Sequence, residues 1–169
     1  MTEITGEALS IAGFVLAQAV TSVCNFKSGE LLTPLAIVEF SDGTRRMTLY
    51  EAATQAEAIE RARAEYASNS ATNDAWAFAR ESSYQSADEA VAHEVIAVDF
   101  WSKGMPYVAS LVQRFNRGVG RRRAHLDGVP SIIDDGKLLD PTEGALMVDR
   151  VRQGISDHPE AERLWRYWE

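Results

Sequence analysis

The stretch ALSIAGFVLAQAVTSVCNF, residues 8–26, carries no charged side chain and constrains the fold more than any other part of the chain. Such a run is either a bilayer span or a helix that protein covers on most of its surface. The sequence favours the second. MTEITGE ahead of the run is acidic, where an export signal carries Lys or Arg. Ser10, Gly13, Gln18, Thr21 and Ser22 make it a poor span. The spacing predicts a helix from Thr5 to Phe26 with Ile4, Ala8, Ile11, Val15 and Ala19 near one face. Leu9, Phe14, Leu16, Val20 and Val23 spread apolarity around the rest. One sheet covers one side of such a helix, so a second layer or a second copy of the chain is expected.

A chain of 169 residues with 46% hydrophobic and 25% charged side chains is long enough to build a core without staples. The expectation is one domain over residues 1–169. It comprises an α+β core at 1–117, a loop or hairpin excursion at 118–139 and C-terminal helices at 140–169. Cys24 is the one cysteine, which excludes an intramolecular disulfide and fits a cytoplasmic location.

LLTPLAIVEF reads as a strand, and SDGT as a turn in which Asp-Gly supplies the positive-φ position of a tight hairpin. TRRMTLYE returns as a second strand. Thr54-Gln-Ala-Glu57 is a capping box, and the alanine-rich helix it opens spaces Glu57 and Arg61 for an i,i+4 pair. DAWAFARES, HEVIAVDFWS and PYVASLVQRF follow as three strands, the last two joined across KGMP. Their two faces are both largely apolar, which implies covering on both sides. Asp140-Pro141-Thr142-Glu143 announces a helix, with Asp as N-cap and Pro at the first helical position, and Gly154 is placed to end it. Asp157-His158-Pro159-Glu160 opens a last short helix. The fold class is therefore α+β: an antiparallel sheet of about five strands in the order α-ββ-α-βββ-αα, with helices packed on the sheet.

Chemistry is sparse. There is no CxxC or HExxH, and His93, His125 and His158 are far apart, so no metal site and no cofactor are expected. No Gly-x-Ser-x-Gly elbow presents a serine. Glu39, Glu81, Asp99, Arg80 and Arg114 interrupt apolar strands. Glu39 or Asp99 on a concave face is a candidate general base, with Arg114 or Tyr107 as polar anchor. The competing reading is structural: sheet-edge charges, or a pair between Arg114 and a carboxylate that fixes register.

Residues 114–125, RFNRGVGRRRAH, put five arginines into ten positions of a chain of net charge -8. Gly118-Val-Gly120 completes neither a dinucleotide fingerprint nor a Walker loop. Backbone amides and guanidinium forks there suit a phosphate or RNA. Against that, no aromatic lies between 116 and 130 to stack a base, and the acidic remainder repels a polyanion. Arg117, Arg121, Arg122 and Arg123 are read as answering carboxylates, this chain's own or a partner's. In LWRYWE, Trp165 and Trp168 share one side of a short helix, either docking on the body or anchoring an interface.

The leading expectation is a non-enzymatic protein-binding or accessory protein, chaperone-like or immunity-type, acting as a homodimer. Another protein is a second partner class, nucleic acid is disfavoured and no membrane is involved. The first alternative is a small enzyme or small-ligand binder with a cavity between sheet and helix. The second is RNA or phosphate binding through the Arg-rich loop.

Overall fold

A computed structural model describes residues 3–24, 31–69, 73–85, 88–116 and 125–160. The elements run α1 (Gly6–Cys24), β1 (Leu35–Glu39), β2 (Arg45–Leu49), α2 (Gln55–Asn69), β3 (Ala75–Tyr84) and β4 (His93–Ser102). They continue with β5 (Ala109–Asn116), β6 (His125–Asp134), β7 (Lys137–Leu138) and α3 (Pro141–Ser156). One antiparallel sheet has the order β2-β1-β3-β4-β5-β6-β7. The class is the expected α+β, but the sheet has seven strands rather than five.

The two extra strands come from the region read as an excursion. β6 pairs with β5, and β7 returns on it. Asp135 and Gly136 supply the turn between them with φ of 48° and 74°, the two successive positive values of a two-residue hairpin turn. β6 hides in the sequence because Gly128, Val129 and Pro130 break its alternation. They stand opposite Gln113 alone, between the pairs Val112↔Ser131 and Arg114↔Asp127. Proline is tolerated in a strand at such an irregularity. Gln113 is fully buried there, and its amide donates to the carbonyls of Gly128 and Arg114, each at 3.0 Å.

The first hairpin forms as expected. Phe40 and Thr44 close a three-residue loop, Gly43 takes φ 83°, and the Asp42 carboxylate accepts from the Thr44 amide and hydroxyl. Those two bonds hold Asp42 below the usual carboxylate range. β5 starts later than expected, so Tyr107 lies in the connection before it.

One face of the sheet lies under α1. Ile37, Ala77, Ile96, Val98, Phe100 and Leu111 meet Ile11, Val15, Leu16 and Val20 in the main core. α3 covers the helix from another side. At the crossing, a Cβ on Gly13 would lie 2.1 Å from the Val151 carbonyl oxygen, and one on Gly154 would lie 1.9 Å from that of Ser10. Gly154 therefore does not end α3; it lets two helix backbones touch. The charge-free helix is wrapped by its own chain, with ten of its apolar residues from Ala8 to Val23 at most 3% exposed. By length and composition it could cross a bilayer, and here it fills the core.

The other face is divided. Over β1 and β3, Ala58 and Ala62 of α2 press on Ala36, Val38, Trp76 and Phe78. The Thr54 hydroxyl caps α2 by accepting from the Glu57 amide at 3.2 Å. Arg61 donates to the Glu51 carbonyl at 3.1 Å rather than pairing with Glu57. Over β4 and β5, Val95, Ala97 and Val112 form a small cluster flanked by Tyr84 and Ile133.

Candidate functional site

The expected catalytic residues separate into three places. Strand alternation puts Glu39 on the α1 side of the sheet, at the end of β1. Its Oε2 accepts from Arg45 Nε at 2.8 Å, across the register pair Glu39↔Arg45. Asp99 and Arg114 lie on the opposite face, beside Val95, Ala97 and Val112. Tyr107 stands apart in the β4–β5 connection, bonded to the Asp134 carboxylate.

Both carboxylate oxygens of Asp99 are engaged. One oxygen accepts from Arg80 Nη1 at 2.6 Å and the other from the Ser110 hydroxyl at 2.8 Å. Both ion-pair side chains are about 85% buried, at 16% and 14% exposure. Each carboxylate oxygen is thus occupied by a donor on a neighbouring strand, which locks β3, β4 and β5 in register. Arg114 pairs with Glu89, whose carboxylate also lies 3.2 Å from His93 Nε2. Together these residues form a polar border around the small apolar cluster. Asp99 and Arg114 thus each have a charged partner in the structure, and they are not partners of one another.

Tyr107 is no ready proton donor. The hydrogen bond to Asp134 comes first among the causes that push its phenol up to about 12. Burial and the negative charges of Asp134, Asp135 and Glu3 act in the same direction. Asp134 is only 8% exposed, and its Oδ1 has no hydrogen-bond partner. Among the described residues no group of three His, Cys, Asp or Glu side chains could hold a metal ion.

The α1 face does not enclose a cavity lined by Glu39, Asp99, Arg114 and Tyr107. Its centre is filled by core side chains, with Phe100, Leu111, Ile96 and Val98 all at 0% exposure. Glu39 instead borders an open recess of roughly 380 Å3 outside the core, together with Gly6, Glu7, Ser10, Arg45 and Arg150. Glu7, Ser10 and Arg150 were not legible as site residues, since nothing in their spacing ties two helices to a hairpin. Glu89, partner of Arg114, was missed for the same reason: it sits in a polar connection without a pattern.

Arg117, Arg121, Arg122, Arg123, Trp165 and Trp168 all lie outside the described residues. So does most of the expected last helix. His158, at its predicted start, is buried in a turn. Its Nε2–H donates to Gln18 Oε1 at 2.8 Å while Nδ1 accepts from the Glu160 amide at 3.1 Å, an arrangement that suits the neutral ring. Burial lowers its pKa against the opposing pull of Glu160.

Exposed large apolar side chains are scattered, with Leu146, Val91 and Val129 among the most exposed, and one group gathers at the β2 edge of the sheet. Among the described residues β2 has one strand neighbour, β1. Met47 is 49% and Leu49 51% exposed, and Leu31 just before β1 is 56% exposed. Met47 and Leu49 alternate with Arg46 and Thr48 and share a face with Arg45. The opposite edge, β7, is two residues long.

The class so defined is an α+β protein built on one seven-stranded antiparallel sheet. Comparison with protein-family models, curated proteins and solved structures finds no match for this chain.

Proposed function

We propose that this chain is a non-enzymatic protein-binding protein that associates with a second copy of itself through the outer edge of β2. The proposed role is an accessory one, chaperone-like or immunity-type. The observation that carries the reading is the exposed apolar edge formed by Met47 and Leu49, where alternate amides and carbonyls point away from β1.

Self-pairing suits this strand. An antiparallel pair about Met47 sets Met47 opposite its own copy, Arg45 opposite Leu49 and Arg46 opposite Thr48, so no like charges face one another. Pairing edge to equal edge closes a two-fold dimer. The charge-free helix no longer supports association, because its own sheet and α3 cover it; the edge strand supports it instead.

Light scattering over a dilution series tests the reading. The expected mass is twice 18.7 kDa at high concentration. Met47→Asp acts in both copies, each losing about 1.5 kcal/mol or more of apolar burial, so dissociation should tighten its demand by about 100-fold in concentration. A mass of 18.7 kDa at every concentration removes the homodimer.

A further inference from the structure

The open recess lies where three elements meet: the first two turns of α1, the β1–β2 hairpin and the middle of α3. Its roughly 380 Å3 is the size of a small-ligand site, yet its side chains are two arginines, two glutamates and a serine. Two of the four charges answer each other, through the Arg45–Glu39 bond at 2.8 Å. The other two do not. Glu7 and Arg150 form no ion pair among the described residues, and Arg150 reaches only the Gln153 side-chain oxygen at 3.3 Å. The Arg150 guanidinium lies against Gly6: a methyl built there would be 3.7 Å from Nε and 3.8 Å from Cζ, ordinary van der Waals contact.

The charge pattern selects the ligand. A plain anion gains from Arg150 and Arg45 but meets Glu7, Glu39 and the field of a chain of net charge -8. A plain cation meets the two arginines. A molecule that carries both signs satisfies both sets, with its carboxylate on the guanidinium fork and its ammonium on a glutamate.

We propose that this recess binds a small zwitterion of the amino-acid class, with Arg150 taking the carboxylate and Glu7 the ammonium. The Arg45–Glu39 pair holds the hairpin wall in place. Ser10 supplies a hydroxyl between them. Arg45 belongs to both the recess and the β2 edge, whereas Met47 and Leu49 do not line the recess, so Met47→Asp alters the edge alone.

Amide NMR of the 15N-labelled full chain, titrated separately with L-alanine, L-arginine and L-glutamate, tests it. Acetate and ethylammonium serve as the one-sign halves. The expected result is saturable shifts at Gly6, Glu7 and Ser10 with at least one amino acid, and none with either half alone at the same concentration. Arg150→Gln and Glu7→Gln should each weaken binding by about 10-fold or more. Both residues are exposed, so circular dichroism should show both variants folded. The same titration on Met47→Asp should be unchanged, which separates this site from the dimer. No saturable shift with any of the three amino acids overturns the proposal, as does equal binding of acetate or wild-type affinity in Arg150→Gln.

Discussion

The two faces of this sheet solve burial differently. The α1 face is closed by one charge-free helix and a second helix crossing it at a glycine contact. Among the described residues the α2 face has a helix over β1 and β3; over β4 and β5 its small aliphatic cluster is bordered by Arg80–Asp99 and Arg114–Glu89. Charges inside these strands are therefore not strand errors. Arg80 and Asp99 answer each other across neighbouring strands, and Arg114 answers Glu89 in the β3–β4 connection.

The largest effect should come from the closed face. Phe100→Ala removes a fully buried ring and should cost about 3–5 kcal/mol in urea unfolding. A loss near zero would mean that the α1 face is not the main core.

The helix crossing gives a paired test in one helix. Gly154→Ala should lose about 1–3 kcal/mol, because its Cβ would lie 1.9 Å from backbone that cannot turn aside. Gly144→Ala, with nothing within 4 Å of the new methyl, should gain up to about 1 kcal/mol from helix propensity. Equal effects at the two positions would break the account of α3.

On the open face, Asp99→Asn should cost about 1–3 kcal/mol by leaving Arg80 without its anion. Adding Arg80→Gln should cost little more, since the two residues act as one unit. Additive losses in a double-mutant cycle would show that the pair does not hold register.

His158 gives the smallest signal. Its folded pKa lies below the ordinary 6.5, so below that pH the unfolded chain takes up a proton that the native ring resists. Stability should decline as pH falls through this value, and His158→Gln should flatten that part of the profile. An unchanged slope would refute the neutral, buried ring.

The sequence-level reading succeeds where periodicity and local turn chemistry agree. The charge-free run, the Asp-Gly hairpin, the Thr54 cap and the Asp140 N-cap all form, the last with the Thr142 amide donating to Asp140 Oδ1 at 2.8 Å. It fails where tertiary contact overrides local signal. Gly154 carries the mark of a helix end but serves a close approach, and β6 carries Gly and Pro that only an irregularity opposite Gln113 can accommodate. The site was less legible than the fold. Arg114 announces a need for a carboxylate without naming Glu89, and the recess joins Glu7, Glu39 and Arg150 from three separate elements.

Hydrogen–deuterium exchange across a concentration series tests the central claim most directly, because it reads the proposed edge itself. Amides of Arg45, Met47 and Leu49, which point away from β1, should become slower to exchange as concentration rises, while Lys137 and Leu138 on the opposite edge stay unchanged. Exchange along β2 that is equally fast at every concentration would contradict the account.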